Sequence, residues 1–304
     1  MLTKQIVWKP KTLEEAWNIH DHLEPNSYCY VSGGTWLRTQ WEANLRKMPP
    51  HLISLEQILA MSQIEEQIIS GQRVITIGAA TTLAECIKSP LLNKYLPTIV
   101  KACRHIAAMS IRNQATIGGN IYTAIGDSIP AFLIFDTQLQ WYNGTEIEVE
   151  SLEGWLFKLQ ANEFKRDKRI LVGLRIEIDE QQLHEGFSFY MKVGRREAFT
   201  PSVVNLASKG FIDQTGVFRN VAIAAGGGAI SAKRLSKAEW ELEHQPFSID
   251  RLKKVHKLIV EEHEAQTDAF ATANYKKSVV ANLITSELYR LSKGGDDDAF
   301  KSCV

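Results

Sequence analysis

The stretch Arg112-Asn113-Gln114-Ala115-Thr116-Ile117-Gly118-Gly119-Asn120, continued by Gly126-Asp127-Ser128-Ile129-Pro130, constrains this chain more than any other. Two adjacent glycines sit among small polar residues, and the apolar run Ala131 to Phe135 follows. Glycine has no Cβ, so such a segment lets backbone N–H groups come close to an anion. A second segment of the same character lies upstream, Val31-Ser32-Gly33-Gly34-Thr35. Either one alone reads as a tight turn. Together, each with hydroxyl neighbours and each behind an apolar segment, they point to a large phosphorylated ligand held at two places.

At 304 residues the chain exceeds one comfortable core, so two or three domains are expected. Lys plus Arg number 35 and Asp plus Glu number 35. A net charge of zero disfavours nucleic acid as a partner, because binding a phosphate backbone demands a basic excess. It weakly favours a protein that lives inside a complex. Met1 to Lys11 has no apolar core long enough for a signal peptide, and no run of about 18 apolar residues exists. The expectations are therefore no membrane segment and a cytoplasmic location. The four cysteines, Cys29, Cys86, Cys103 and Cys303, form no CxxC pair. Their spacing fits neither an iron–sulfur cluster nor a zinc site, so any redox role rests on an organic cofactor or on clusters in another chain. The first three read as buried small apolar residues.

Thr12-Leu13-Glu14-Glu15 is a capping box that opens a helix to about Leu23, before Pro25. Ser27 to Ser32 reads as a strand running into Gly33-Gly34-Thr35, with a helix over Trp36 to Glu42 and an extended piece over Leu52 to Leu59. Arg73 to Ala79 is a strand, and Thr82 to Glu85 repeats the capping box. Ile99 to Met109 reads as a helix, and Asn143-Gly144 as a two-residue hairpin turn. Ile170 to Ile178 alternates as a strand should. The chain turns polar around Glu180 to Glu185, where the main domain boundary is placed. Beyond it lie strands at Phe187 to Val193, Val203 to Lys209 and Val221 to Ala225, a hairpin turn at Asp213 to Gly216, and two amphipathic helices, Arg251 to His263 and Asn274 to Leu291. The fold class is α+β, with domains at 1–180 (lobes 1–55 and 56–180) and 181–292, and a disordered tail at 293–304. No GxGxxG and no GxxxxGK[ST] occurs, so a Rossmann site and a P-loop are both unsupported.

The order of these segments resembles a known family. The Gly-Gly-Thr loop comes first, then Ile77-Gly78-Ala79-Ala80-Thr81-Thr82, then Ile111-Arg112-Asn113 with Thr116-Ile117-Gly118-Gly119-Asn120, then Gly126-Asp127 ahead of Pro130. Together they look like the FAD-binding subunit of molybdenum hydroxylases, the xanthine dehydrogenase and carbon monoxide dehydrogenase group. Lys192-Val193-Gly194-Arg195-Arg196, then Val221 to Gly227 with Arg234, then Thr267 to Lys276, resemble later parts of that family more loosely. The resemblance implies a two-lobed FAD domain of the vanillyl-alcohol-oxidase type, called PCMH-type, followed by a flavoprotein C-terminal domain. It implies FAD held non-covalently, with the molybdenum cofactor in a large partner subunit and [2Fe–2S] clusters in a small one. Electrons would reach this FAD from the clusters and leave to NAD or another acceptor. A flavin suits that position because it accepts single electrons and releases a hydride pair. Xanthine is the first substrate expectation, although the substrate would bind a different chain.

The resemblance also assigns residues. Ser32, Gly33, Gly34, Thr35 and Leu37 would wrap the pyrophosphate from the first lobe, with Val31 and Trp36 beside them; the bland alternative is a strand-to-helix turn with Thr35 as N-cap, and Trp36 either stacks on the ligand or belongs to the core. Ala79, Thr116, Ile117, Gly118, Gly119, Asn120 and Thr123 would approach from the second lobe. Asp127 resembles a family residue near the ribityl or adenosine portion, with an N-cap ahead of Pro130 as its alternative. Lys192 would lie near the pyrimidine end of the flavin; otherwise it is a solvated surface lysine. No catalytic residue and no metal ligand is assigned. Two departures stand out: Gly34-Thr35-Trp36 where the family more often has Thr-Asp or His-Ser, and Tyr275-Lys276 in place of Tyr-Arg. Two competing readings keep the same fold. One is a stand-alone NAD(P)H-dependent flavin reductase, for which no serine–glutamate pair stands out. The other is a non-enzymatic scaffold that lost its flavin.

Overall fold

A computed structural model describes residues 5–161, 167–180, 183, 186–194, 202–243 and 246–293. Arg195, Arg196, Cys303 and the tail from Gly294 onward lie outside the described residues. The first lobe is a small parallel sheet, β1 (Ile6–Trp8), β2 (Tyr28–Val31) and β3 (His51–Ser54), in the order β1-β3-β2. Helix α1 (Leu13–Asp21) joins β1 to β2, and α2 (Thr35–Glu42) joins β2 to β3. Parallel neighbours need such crossovers. Thr12 caps α1 by accepting from the Glu15 N–H at 3.1 Å. The Glu15 carboxylate reaches back one residue further than a capping box requires, to the Lys11 N–H at 2.7 Å.

The second lobe is an antiparallel sheet of five strands in the order β4-β5-β8-β6-β7. These are β4 (Ile64–Ile69), β5 (Gln72–Gly78), β6 (Gln138–Tyr142), β7 (Ile147–Ser151) and β8 (Ile170–Glu177). Between β5 and β6 the chain forms six short helices: α3 (Leu83–Lys88), α4 (Pro90–Tyr95), α5 (Pro97–Arg104), α6 (Met109–Arg112), α7 (Ile117–Tyr122) and α8 (Ile129–Leu133). Thr82 and Glu85 complete a reciprocal capping box on α3. The expected helix from Ile99 to Met109 ends early, at Arg104. Ala107 adopts a left-handed backbone (φ 45°), and the Arg112 guanidinium gathers the carbonyls of Arg104, Ile106 and Ala107 at 3.2, 3.0 and 2.6 Å. The expected two-residue hairpin is a four-residue loop, since Tyr142 pairs with Ile147. The Asn143 side chain accepts from the N–H groups of Thr145 and Glu146, each at 2.9 Å, and this stabilises the wider turn. Helix α9 (Leu152–Gln160) follows β7, capped by Ser151.

The C-terminal domain is a second antiparallel sheet, β12-β11-β10-β9, made of β9 (Gly186–Val193), β10 (Val204–Ile212), β11 (Phe218–Gly227) and β12 (Ile230–Arg234). Helices α10 (Ser236–Glu243), α11 (Ile249–Glu262) and α12 (Ala273–Ser292) complete it. The sheet has two dissimilar faces. Phe189, Val204, Leu206 and Ile223 join Val255, Ile259, Val280 and Ile284 of the helices in one core. The opposite face presents Ala207, Ala222, Ala224 and Ala232 to the core of the two preceding lobes. Small side chains there let α8, whose five residues are all buried, lie close against the sheet. Arg234 fixes the same junction, pairing with Asp136 at 2.7 Å and Glu239 at 2.6 Å.

His263, at the end of α11, is buried, and burial together with nearby Lys277 and Lys233 lowers its pKa from 6.5 to about 4. Above pH 6.5 both the folded and the unfolded chain carry it neutral. Between pH 6.5 and 4 only the unfolded chain takes up a proton, so stability is lost as pH falls through that window, by about 3 kcal/mol. Thermal unfolding of His263→Gln is expected to show a shallower decline between pH 6.5 and 4 than the parent. Parallel melting curves would contradict this assignment.

Candidate functional site

Strand β2 delivers Val31, and the chain then reverses through Ser32 and Gly33 into α2. Gly34 takes the N-cap position in the left-handed region (φ 65°), so Thr35 is the first helical residue and not the cap. Glycine offers no side chain to its helix, and among the described residues α2 has no side-chain cap. The N–H groups of its first turn therefore have no acceptor within their own helix, and they carry the positive end of the helix dipole. The Ser32 hydroxyl is buried and has no hydrogen-bond partner among the described residues. Trp36 and Leu37 are half-buried. The Arg46 guanidinium lies 5.4 Å from the centre of the Trp36 ring, so this tryptophan is a partly exposed platform and not core.

The second glycine segment is anchored differently. Thr82 and Thr116 form an isolated antiparallel bridge. The Leu83 N–H donates to Ala115 O at 2.8 Å, Ile117 N–H to Thr81 O at 2.9 Å, and Gly118 N–H to Ala79 O at 2.9 Å. Thr116 caps α7 by accepting from the Gly119 N–H at 3.2 Å, and Asn120 N–H donates to Thr116 O at 3.0 Å. The amides of residues 117 to 120 are thus all engaged within the protein. Gly118 is required for packing, because a Cβ there would lie 2.5 Å from the Ala79 Cβ and 2.6 Å from its carbonyl oxygen. Gly119 is exposed and a Cβ would meet only the Thr116 hydroxyl, at 3.0 Å. Thr123 donates to Asn120 O at 2.7 Å.

The two segments touch. A Cβ on Gly33 would sit 1.7 Å from Gln114 O, so the first loop lies directly on the backbone that leads into Thr116. Loops 81 residues apart in sequence thus form one rim, with the open turn of α2 and the Ser32 hydroxyl on one side and exposed Gly119 on the other.

Asp127 and Lys192 also come together. The Lys192 ammonium, whose side chain is 1% exposed, donates to Asp127 Oδ2 at 2.7 Å and to His105 O at 2.9 Å. The surface-lysine alternative is thereby excluded. Asp127 is not an N-cap either: Ser128 precedes α8. Asp127 Oδ1 accepts from the Ser202 hydroxyl at 2.6 Å and from Asn205 Nδ2 at 2.9 Å, while Tyr190 donates its hydroxyl to Asp127 O at 2.9 Å. Burial first, and then Asp127, pushes the Tyr190 phenol well above its usual pKa, so it stays a donor. Asn120 links this cluster to the glycine segment, accepting the Ser128 hydroxyl on Oδ1 at 2.6 Å. Sequence reasoning missed His105, Tyr190, Ser202 and Asn205. Asn205 alone left a signal, a polar residue inside the apolar run Val203 to Ala207. Two clefts, of about 750 and 1150 Å³, lie elsewhere and are lined by neither glycine segment.

A family profile described as the FAD binding domain in molybdopterin dehydrogenase matches residues 3–176. One described as the CO dehydrogenase flavoprotein C-terminal domain matches residues 189–291. The putative xanthine dehydrogenase FAD-binding subunit XdhB of Escherichia coli K12 is 25% identical over 235 residues, covering 77% of this chain and 78% of that protein. The nicotinate dehydrogenase FAD-subunit of Eubacterium barkeri is 24% identical over 280 residues, covering 90% and 91%. Among solved structures, a carbon monoxide dehydrogenase from Hydrogenophaga pseudoflava superposes with a TM-score of 0.83 at 20% identity, covering 95% of this chain and 98% of that one. Quinoline 2-oxidoreductase from Pseudomonas putida 86 gives 0.80 at 17% identity, covering 96% and 98%. The described residues hold no group of three or more His, Cys, Asp or Glu arranged to bind a metal.

Proposed function

From the premise that this chain belongs to the FAD-binding subunits of the molybdenum hydroxylase family, we propose that it holds FAD non-covalently between its two glycine segments and passes electrons onward. The observation that carries this reading is the contact of Gly33 with Gln114, which brings an uncapped helix start, an orphaned buried Ser32 hydroxyl and exposed Gly119 to one rim. Those donors fit a pyrophosphate. Ser32, Gly33, Gly34 and Thr35 supply the anion contacts, through N–H groups and hydroxyls, at a helix N-terminus. Val31, Trp36 and Leu37 flank them. The second segment acts as a wall: Thr116, Ile117, Gly118 and Ala79 lock its backbone, while Gly119, Asn120 and Thr123 face the ligand.

When bound, FAD supplies one-electron acceptance and hydride release. The chain's own residues orient it and set the local charge. Lys192, held by Asp127 and His105, keeps a buried positive charge that favours the reduced, more negative flavin. Lys192→Ala is expected to lower the flavin midpoint potential at full FAD occupancy, and an unchanged potential would argue against this role.

Partner subunits carry the molybdenum cofactor and the [2Fe–2S] clusters in this reading, and NAD is the proposed acceptor. The proposed substrate of the assembled enzyme is a nitrogen heterocycle, with xanthine foremost. Relatives named for xanthine and nicotinate support that class. No helix among the described residues is long and apolar enough to cross a membrane, and a cytoplasmic location is part of the same proposal. The deciding experiment is the visible spectrum of the purified chain after FAD addition and desalting. One flavin per chain is expected; a colourless chain, both alone and co-expressed with its partners, would overturn the reading.

A further inference from the structure

We propose that Asn205, on the C-terminal sheet, is a positioning residue for the flavin site, which it serves by holding the Asp127 carboxylate and, through it, the Lys192 ammonium. The proposal rests on the reading that FAD lies beside Asp127 and Lys192. Asn205 is 2% exposed and stands between Val204 and Leu206, where an apolar residue would satisfy the packing. Its Nδ2 donates to Asp127 Oδ1 at 2.9 Å and to Ser202 Oγ at 3.3 Å. Turning the amide over would press its carbonyl against a carboxylate, so the orientation is dictated by Asp127. The consequence is an Asn205 Oδ1 that is buried with no partner among the described residues. A buried acceptor left unmade costs about 1–3 kcal/mol, and a leucine would remove that cost. An asparagine here therefore serves something other than the stability of its own strand.

Among the described residues, three donors converge on the Asp127 carboxylate. Asn205 and Ser202 take Oδ1, and Lys192 takes Oδ2. Strand register sets the geometry, because Asn205 lies directly opposite Lys192 across β9 and β10. The other end of the cluster is the glycine segment, since Asn120 holds Ser128 next to Asp127. Gly126 is packed so tightly on Asn120 that a Cβ would lie 2.2 Å from its Oδ1. A displaced carboxylate would therefore move the loop as well as the charge. Removing the Asn205 donor leaves more negative charge uncompensated beside the flavin. Reduction adds negative charge there, so it becomes harder.

The test uses the full chain reconstituted with FAD and the redox equilibrium of its flavin against a reference dye. Three proteins are compared: the parent, Asn205→Leu, and Asn205→Ser, which keeps a hydroxyl donor. Thermal unfolding and FAD occupancy are read alongside. At full occupancy Asn205→Leu is expected to shift the equilibrium about tenfold toward oxidised flavin, with Asn205→Ser shifted less. An unchanged equilibrium in Asn205→Leu, or equal shifts in both variants, overturns the proposal. Should Asn205→Leu not fold, Ser202→Ala, which removes the other donor on the same oxygen, must show the same downward shift, and its absence overturns the proposal. A parent chain that takes up no FAD refutes the underlying reading instead, and is told apart by the missing flavin spectrum.

Discussion

Gly33→Ala is expected to give a chain that retains no FAD and melts far below the parent. The added Cβ would lie 1.7 Å from Gln114 O, 2.5 Å from Gln114 C and 3.1 Å from the Ala115 Cα. All three are backbone atoms, so no rotamer change relieves the overlap. The loops must part by more than an ångström, and they are the surfaces through which the two lobes form one rim. Overpacking of this kind costs about 3 kcal/mol. The same displacement pulls Ser32 and the start of α2 away from Gly119, so FAD affinity should fall by about a hundredfold or more, in keeping with the steep cost of misplacing a site by an ångström. Gly34 provides the control. A Cβ there meets Val31 only at 3.5 Å, but the left-handed backbone (φ 65°) disfavours a side chain by about 1–2 kcal/mol. Gly34→Asn, whose residue type tolerates that region, should retain flavin. Flavin per chain and melting temperature decide the matter together. A Gly33→Ala chain fully loaded with FAD and with an unshifted melting temperature would refute the rim.

Local chemistry made part of this architecture legible from residues alone. Thr82 with Glu85 marks a helix start because both halves of the capping box lie within four residues. Asp213 to Gly216 marks a hairpin for the same reason: the Asp213 carboxylate accepts from the Thr215 and Val217 N–H groups. The glycine pairs announced close backbone approach, though not which backbone. Gly33 meets Gln114 and Gly118 meets Ala79, and both contacts depend on how distant elements dock.

What stayed hidden depends on tertiary partners. Strand β4 reads Ile-Glu-Glu-Gln-Ile-Ile, mostly exposed, and exists because β5 offers it a ladder. Strand β12 is short and polar and is held by β11 and by the Arg234 pairs. Helices α9 and α10 carry weak periodicity, and packing against neighbours stabilises them. Asp127 and Lys192 were both legible as charged residues in suggestive places. Their pairing was not, because it follows from which face of β9 turns toward α5 and the loop that leads into α8. That face choice is set by Tyr190 and the alanines of β10 to β12, which are dispersed over some forty residues.

Breaking the pair from the carboxylate side should be the most damaging change at the junction between the second lobe and the C-terminal sheet. In Asp127→Ala the Lys192 ammonium, 1% exposed, keeps only the His105 carbonyl among the described residues, and the Ser202 hydroxyl and Asn205 amide lose their shared acceptor. An uncompensated buried charge of this kind costs about 3–5 kcal/mol. Asp127→Asn keeps the shape but not the charge, so it should be nearly as harmful. The pair itself is a different quantity. Replacing both partners, as in Asp127→Asn with Lys192→Met, removes the stranded charge and should recover a large part of the loss. Urea unfolding of the two single variants and the double variant closes the cycle. The expected coupling is about 2 kcal/mol or more, with the double variant more stable than Asp127→Asn alone. Strictly additive losses would mean that Lys192 finds solvent once Asp127 is gone, and that the junction between α8 and the C-terminal sheet is held by the alanine face and Arg234 without help from this pair.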